Sequence, residues 1–331
     1  MTRDLFYINA DTDIPYANQG LEEYLLQRVR PGQIILYLWQ NRRTVVLGRN
    51  QNCWRECRVE QLLRDEGYPS RRLSGGGAVF HDLGNLNFTF LCCAGDYDLE
   101  FNLAVIADAL SRAGISTERS GRNDLLAAGR KFSGNAFYKV GDQCLHHGTI
   151  MVEVDLDDMS RYLQPSPGKL AAHGVASVRA RVANLRDLAP RLSVERLRGL
   201  LAASLGRIGG REPQELALAQ QEWHEAEQLS LRFGDWNWIC GRQADFDIEL
   251  EERFPWGGVN CQLQVCGGWI EQAALYSDAM EALLIPRIAA SLGQCRYDAA
   301  EISGRLAGLA CEDSREAGIV ADISDWLSQA I

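Results

Sequence analysis

Apolar and polar positions in the first part of the chain follow helical and strand-like patterns in turn. Residues 16–29 carry apolar side chains at helical intervals, and residues 33–39 and 44–47 are short apolar runs typical of strands. The polar triplet 41–43 lies between these two runs, which predicts a β-hairpin. Residues 54–66 return to helical spacing, so the pattern predicts one helix there.

The middle of the chain is rich in short apolar segments that glycines separate. Residues 71–80, 86–92 and 123–153 show this strand-like pattern, whereas residues 194–208 and 215–231 have helical spacing. Strands followed by helices in this way are typical of a sheet with helices packed on it. The sequence therefore predicts an α/β fold, an α+β mixed sheet with covering helices.

The C-terminal part of the chain has a pattern of its own. Residues 259–265 alternate cleanly, the pair 267–268 is Gly-Gly, and a second apolar run occupies residues 269–276. Two glycines can adopt the positive φ angles of a tight two-residue turn, so this segment predicts a hairpin. We therefore expect a first domain over residues 1–246 and a small α+β domain over residues 247–331.

Composition and charge narrow the class of protein. Hydrophobic residues make up 46% and charged residues 24%, as in a globular chain, and no apolar run approaches the ~20 residues of a membrane helix. The 34 lysines and arginines against 44 acidic residues leave a net charge of −10, which disfavours nucleic acid as a partner. The first residues lack an apolar signal core. We expect a cytoplasmic protein without a membrane partner.

The ten cysteines do not show the spacing of a metal site. The sequence contains neither a C-x-x-C pair nor a Cys/His zinc spacing. Cysteine in a reducing cytoplasm behaves as a small hydrophobic residue. We therefore expect reduced and mostly buried thiols.

The segment 71–82 carries the densest chemical signal. It reads Arg-Arg-Leu-Ser-Gly-Gly-Gly-Ala-Val-Phe-His-Asp. Three successive glycines allow backbone N–H groups to surround a phosphate, and the two arginines Arg71 and Arg72 match phosphate or carboxylate oxygens. The segment is not a P-loop, because no Gly-Lys-Ser/Thr follows. The alternative interpretation is an ordinary turn beside two solvated arginines.

A second cluster, at residues 121–136, combines a lysine with a nearby carboxylate. Lys131 lies in a strand-like stretch among small residues, from which its ammonium can face developing negative charge. Asp124 is a candidate magnesium ligand, since Mg²⁺ in nucleotide sites often takes one or two carboxylates plus phosphate oxygens. The alternative is a surface charge pair at Arg130 and Lys131, with Asp124 in a turn.

A third cluster, at residues 144–149, contains adjacent histidines. Side chains of neighbouring strand residues point to opposite faces, so His146 and His147 cannot chelate one metal. One of them is expected to orient substrate or Lys131, and a structural role is the alternative. Nothing near Cys144 predicts a lowered thiol pKa, so this residue is interpreted as a buried thiol.

The three clusters together resemble the lipoate-protein ligase A family, in its two-domain bacterial form. Both the motifs and their order match, and the similarity spans nearly the whole chain. The matching segments are 46–52, 71–85, 121–124, 130–134, 146–149, 169–185 and 252–258.

The resemblance implies a biotin/lipoate ligase-like fold and a two-step reaction. ATP, as a substrate, would convert lipoate to lipoyl-AMP with the help of Mg²⁺. The lipoyl group would then pass to a lysine of lipoyl carrier domains in 2-oxoacid dehydrogenase complexes and of the glycine cleavage carrier protein. Octanoate is a second acyl substrate to consider.

The resemblance also implies roles for individual residues. Lys131 would be catalytic and would contact both ATP and lipoate, Ser74 and His147 would bind lipoate, and Asp124 would hold magnesium. The residues that would bind ATP or the adenylate are Arg72, Gly75, Gly76, Gly77, Ala78, Val79, Phe80 and Lys131.

Two other functions fit part of this pattern. A transferase of the same fold would move octanoyl or lipoyl groups through a cysteine thioester, but the loop 169–185 contains no cysteine and Cys144 is the nearby candidate. A non-catalytic sensor would bind lipoyl-adenylate without transferring the acyl group. One departure from the family concerns substrate choice: Gln19-Gly20 stands where relatives carry apolar and small residues near the acyl chain.

Overall fold

The computed structural model describes residues 3–121, 124–164, 182–241 and 246–330. Contacts divide the chain into two compact units. The first comprises residues 1–46, 55–70 and 79–235, and the second comprises residues 47–54, 71–78 and 236–331. The boundary expected at residues 246/247 stays a prediction.

An eight-stranded mixed sheet forms the centre of the first unit. Its strand order is β11-β1-β2-β6-β10-β9-β8-β7, in which β1 runs parallel to β2 and β11 and the other pairs are antiparallel. The strands are β1 Asp4–Asn9, β2 Gln33–Trp39, β6 Asn85–Cys93, β7 Glu118–Ser120, β8 Asp124–Ala127, β9 Arg130–Val140, β10 Gln143–Met151 and β11 Gln214–Glu215.

Helices bury both faces of this sheet. Helices Leu99–Arg112 and Val194–Gly209 contribute to the core on one face, and Pro15–Arg28 and Gln220–Gly234 contribute to the core on the other. Strand β2 shows the alternation, because Ile34, Leu36 and Leu38 enter the first core while Ile35, Tyr37 and Trp39 enter the second. The prediction of a mixed sheet with covering helices is confirmed.

The structure also contains a separate three-stranded sheet with the strand order β4-β3-β5. Its strands are Tyr68–Arg71 (β4), Thr44–Leu47 (β3) and Val79–His81 (β5). The hairpin predicted between residues 33–39 and 44–47 is wrong, because β2 pairs with β1 and β6 whereas β3 lies between β4 and β5. The short polar link between the two runs therefore connects two sheets.

The helix predicted over residues 54–66 is two short helices. They span Cys53–Glu56 and Val59–Arg64, and Cys57 between them forms an isolated bridge with Leu163. A further short helix spans Leu156–Tyr162 in the same unit.

The C-terminal part of the second unit is a four-stranded antiparallel sheet covered by helices. Its strands, in the order β12-β13-β14-β15, are Ile248–Phe254, Gly257–Cys266, Trp269–Ser277 and Cys295–Arg296. Its helices are Trp236–Ile239, Leu284–Leu292, Ala299–Ala307 and Ser314–Ala330. The predicted hairpin is confirmed: Gly267 and Gly268 have φ of 57° and 80°, as a turn with two left-handed residues requires.

Candidate functional site

The glycine-rich loop, residues 71–80, joins the end of β4 to the start of β5, and its central glycine is required by geometry. Gly76 has φ of +90°, and its N–H donates to the carbonyl of Ala279 at 2.9 Å. A Cβ at this position would lie 3.0 Å from Nη2 of Arg72 and 3.1 Å from Sδ of Met280. Only glycine adopts this conformation without strain while allowing such close approach.

Arg71 is turned into the protein and does not face a ligand. Only 1% of this residue is exposed, and its guanidinium donates to backbone carbonyls of two segments. Nη1 contacts the carbonyls of Gly48, Arg49 and Gln51 at 2.7–2.9 Å, and Nε and Nη2 contact those of Trp238 and Ile239 at 2.6–3.0 Å. The interpretation of Arg71 as an anion ligand is therefore replaced by a structural role.

Arg72 instead holds the glycine-rich loop in shape. Its Nε donates to Oγ of Ser74 at 3.0 Å, and its Nη2 donates to the carbonyls of Gly75 and Gly77 at 2.7 and 2.8 Å. Arg72 and Ser74 are both buried. These two predicted ligand residues are thus brought together, and a phosphate that binds Arg72 has to replace some of these bonds.

The accessible part of the loop is its second half. Gly77, Ala78 and Val79 are partly exposed, and the N–H groups of Gly77 and Ala78 donate to no other residue in the described part of the chain. A Cβ at Gly77 would meet nothing within 4 Å. Phe80 is buried in β5 with its ring 5.8 Å from that of Tyr162. The N–H groups of these two amides can donate hydrogen bonds to a bound anion.

In the first unit, Lys131 and Asp124 form an ion pair. Nζ of Lys131 lies 2.7 Å from Oδ1 of Asp124, and the side chains are 39% and 40% exposed. The lysine side chain passes over Gly134, where a Cβ would lie 3.3 Å from Nζ. Gly134 therefore leaves space for this ammonium, and its N–H is held by Oγ1 of Thr149 at 3.2 Å.

The donor set at Asp124 fits a magnesium ion that arrives with a nucleotide. No group of three potential His, Cys, Asp or Glu ligands occurs within residues 3–121, 124–164, 182–241 and 246–330. Mg²⁺ usually keeps water and phosphate oxygens and needs only one or two carboxylates from the protein. One half-exposed carboxylate is sufficient for that arrangement.

His146 is a structural histidine. Its Nε2 donates to Oδ1 of Asn135 at 2.9 Å, and its Nδ1 accepts from Nδ2 of Asn102 at 3.3 Å. One donated and one accepted bond fit the neutral ring. Burial, followed by the neighbouring His147, lowers the pKa of His146 to about 3.

His147 points to the opposite face of β10 and belongs to a buried polar chain. Its Nδ1 donates to Oε1 of Glu22 at 2.8 Å, the same oxygen accepts from Oγ1 of Thr89 at 2.6 Å, and Thr89 accepts from Nε1 of Trp39 at 3.1 Å. The sequence interpretation missed this chain. Its one sequence signal was Thr89, which lies among the apolar residues 88–93.

Cys144 is unsuited to nucleophilic catalysis. It is buried in the core of the large sheet, and burial raises the pKa of its thiol. Thiolates attack, and a raised pKa disfavours the thiolate.

The expectation of reduced thiols is wrong for one pair, because Cys53 and Cys240 form a disulfide. The other eight cysteines are free, and six of them are buried. Sequence spacing could not reveal the pair, since 187 residues separate its members.

Some sequence predictions fall beyond the residues described. Arg122, Asn123 and the segment 169–181 of the family motifs lie outside them. Among the helices that the structure describes, none has the length and apolar character needed to cross a membrane.

Two protein families match this chain. The family "Lipoyl protein ligase A/B catalytic domain" matches residues 14–206, and the family "Bacterial lipoate protein ligase C-terminus" matches residues 243–327. Lipoate-protein ligase A of Psychrobacter cryohalolentis is 36% identical over 323 residues, which are 95% of each chain.

Two solved structures are similar to this chain. P. falciparum LipL1, crystallised with lipoate, has a TM-score of 0.84 and 26% identity over 98% of this chain and 99% of its own. A lipoate-protein ligase A bound with ATP has a TM-score of 0.64 and 23% identity over 73% of this chain and 100% of its own, which supports the shared fold. With one family covering more than half of the residues and a relative matching nearly the full length, the chain belongs to the lipoate-protein ligase A family.

Proposed function

We propose that Lys131 and the glycine-rich loop at residues 71–80 carry out the ATP-dependent ligation of lipoate that is the activity of this family. In the first half-reaction a carboxylate oxygen of lipoate attacks the α-phosphorus of ATP, and pyrophosphate leaves. In the second, a lysine of a carrier domain attacks the acyl carbon of lipoyl-AMP, and AMP leaves. The products are an amide, pyrophosphate and AMP.

Both half-reactions place negative charge on oxygen. Charge spreads over the phosphoryl oxygens in the first and collects on the acyl oxygen in the second. Fixed positive groups lower both barriers, and neither step requires a covalent intermediate on the enzyme.

The observation that carries the proposal is the position of Lys131. Its ammonium is partly exposed, has space above Gly134, and pairs with the carboxylate of Asp124 at 2.7 Å. A cation held in this way can exchange Asp124 for substrate oxygens without leaving a charge buried and unpaired. Lys131 would contact the lipoyl carbonyl and the α-phosphate.

The glycine-rich loop would hold the nucleotide. The amides of Gly77 and Ala78 would bind phosphate oxygens, with Val79 and Phe80 following them at the start of β5. Arg72 would exchange its bonds to the carbonyls of Gly75 and Gly77 for a phosphate, and Gly76 sets the turn.

Asp124 would hold the magnesium ion of Mg·ATP. When bound, the ion would neutralise phosphate charge. Asp124 is also the partner of Lys131, so the carboxylate keeps the ammonium in place before substrate arrives.

The acyl substrate would meet Ser74 and His147. Glu22 fixes the ring of His147 through Nδ1. Lipoate is the primary substrate in this proposal and octanoate a second one. The carriers would be the lipoyl domains of 2-oxoacid dehydrogenase complexes and the glycine cleavage carrier protein.

The test is Lys131→Ala, with Lys139→Ala as a matched control. Lys139 lies on the same strand and is exposed. ATP–pyrophosphate exchange with lipoate should fall by roughly 10²–10³-fold in Lys131→Ala, as when one oxyanion donor is deleted. Lys139→Ala should match the wild type.

Two results would contradict this assignment. Exchange within a few-fold of wild type in a folded Lys131→Ala protein would remove its role. Binding of ATP and lipoate by the wild type without acyl transfer to a purified lipoyl domain would favour the sensor function.

A further inference from the structure

The disulfide between Cys53 and Cys240 joins two segments that converge on the glycine-rich loop. The Cα atoms are 5.3 Å apart, within the usual range for a disulfide. Cys53 follows the loop at residues 48–52, and Cys240 follows the short helix Trp236–Ile239. All these residues belong to the second unit, as does the segment 71–78.

Arg71 lies between the same two segments. Its guanidinium is buried and donates hydrogen bonds to carbonyls at residues 48–51 on one side and 238–239 on the other. Burying a cation without hydrogen bonds costs free energy, so Arg71 favours the arrangement in which these carbonyls stay in place. Holding the two segments together therefore holds Arg71, which is the first residue of the loop.

Two aromatic contacts accompany the disulfide. The rings of Trp54 and Trp236 meet edge to face at 5.9 Å, and the guanidinium of Arg49 lies 5.1 Å from the ring centre of Trp238. Nε1 of Trp238 also donates to the carbonyl of Arg71 at 2.9 Å. These contacts are non-covalent, so the disulfide is the one covalent link among the described contacts between the two segments.

We infer that the Cys53–Cys240 disulfide is a redox-controlled tether that restrains the glycine-rich loop and thereby tunes nucleotide affinity. The inference rests on the proposed function for its second half, the effect on ATP. Its first half, the restraint of the loop, is independent of any substrate.

The redox step is thiol–disulfide exchange with a low-molecular-weight disulfide such as oxidised glutathione. The thiolate of one cysteine attacks a glutathione sulfur and expels one glutathione thiolate. The second cysteine thiolate then attacks the mixed disulfide and releases the other glutathione. Two protein thiols are oxidised to the disulfide, one glutathione disulfide is reduced to two glutathione thiols, and the two thiol protons pass from the protein to glutathione.

Access to the bond is limited by the burial of both cysteines. Cys53 and Cys240 are 2% and 4% exposed, whereas Trp54 and Trp236 are 38% and 47% exposed. Exchange therefore requires local opening of the segment, and it should be slower than exchange at a surface disulfide.

The experiment compares the full-length protein equilibrated with oxidised glutathione and with dithiothreitol. Alkylation in denaturant followed by intact mass should count eight free thiols in the first sample and ten in the second. Amide hydrogen exchange of residues 71–78 without nucleotide should be slower by about threefold or more in the oxidised sample. The KM for ATP should be lower by a similar factor.

Variants provide the controls. Cys53→Ser/Cys240→Ser should show the fast exchange of the reduced protein under both conditions, and Cys311→Ser, which removes a free thiol elsewhere, should respond like wild type. The wild-type comparison stands by itself if the double variant does not fold.

The outcomes test the restraint of the loop and its effect on nucleotide affinity separately. Ten free thiols after oxidation, or equal exchange of residues 71–78 in both states, overturns the tether. Slower exchange with an unchanged KM for ATP supports the restraint of the loop and overturns its effect on nucleotide affinity.

Discussion

Asp124 and Lys131 form an ion pair although they do not face each other in the β-ladder. Asp124 is opposite Gly134, Lys131 is opposite Leu126, and the register shifts between Leu125 and Leu126. The bulge thus brings the carboxylate and the ammonium together at 2.7 Å. Exposed pairs of this kind add little stability, so the pair can be broken at low cost when the proposed substrates bind.

Asp124→Asn should impair catalysis while leaving the fold intact. The change removes the negative charge that positions Lys131. It also removes the carboxylate proposed to bind magnesium, so the apparent KM for Mg·ATP should rise several-fold. The free energy of unfolding should change by less than about 1 kcal/mol, because both partners are well exposed. Initial rates over a range of Mg²⁺ concentrations and urea unfolding measure the two effects.

The matched control for Asp124→Asn is Asp325→Asn. Asp325 is an exposed carboxylate on the helix Ser314–Ala330, and its removal changes the net charge equally. An equal rise of the KM in both variants would point to a general electrostatic effect and against a specific role of Asp124.

Alanine at Gly76 and at Gly77 should have different consequences. Gly76→Ala should lower the free energy of unfolding by about 1–2 kcal/mol or more, since a left-handed conformation is strained for alanine and its Cβ would press on Arg72. Gly77→Ala has open space and should leave stability within about 0.5 kcal/mol of wild type.

Both glycine variants should raise the KM for ATP, since Gly77 is proposed to approach phosphate through its backbone. Urea unfolding and ATP–pyrophosphate exchange together separate strain from ligand contact. An unchanged KM in Gly77→Ala would argue against close approach of the nucleotide at this amide.

Cys144→Ala should retain ligation within about twofold of wild type, because no thioester step is required and burial raises the pKa of this thiol. The small cavity should cost about 1 kcal/mol of stability. Ligation of lipoate to a purified lipoyl domain measures the first effect. Intact-mass detection of an acyl thioester on the wild type, formed without ATP, would favour the transferase instead.

Acid should destabilise the protein through His146. Its pKa is about 3 in the folded state and ~6.5 when unfolded, so below pH 6.5 the unfolded chain binds a proton that the folded chain does not. This group alone should lower the free energy of unfolding by about 1.4 kcal/mol between pH 7.5 and 5.5.

Urea unfolding of wild type and His146→Gln at the two pH values isolates this contribution of His146. The variant should lose less stability on acidification than the wild type. Contributions from all other groups are common to both proteins and cancel to the extent that the substitution leaves them unchanged.

Local sequence patterns predicted where strands occur better than they predicted which strands pair with each other. The hairpin at residues 259–276 follows from a turn that its own glycines specify, and it is present. The runs at residues 33–39 and 44–47 looked like another hairpin, yet each pairs with strands distant in sequence. Periodicity identifies a strand, whereas its neighbour depends on long-range packing.

The candidate site was likewise predictable from the sequence only in part. Glycines and charged residues at residues 71–82 and 121–136 were visible as motifs. The orientation of their side chains was not: Arg71 and Arg72 are adjacent in sequence, but Arg71 binds carbonyls of segments on either side of it while Arg72 binds its own loop. The disulfide could not be predicted from the sequence either, because it joins residues 53 and 240, which are far apart in the chain.

The contacts that anchor the glycine-rich loop have a consequence for fragments of the chain. Gly76 and Asn50 hydrogen-bond to backbone groups at residues 277–282, so the proposed nucleotide loop depends on residues late in the sequence. A polypeptide ending near residue 241 would contain every proposed ligand and still lack the partners of this loop. Supplying residues 246–331 as a second polypeptide should restore them. Adenylate formation would then report on the reassembly of the two pieces, which makes this chain a natural choice for a split-enzyme sensor.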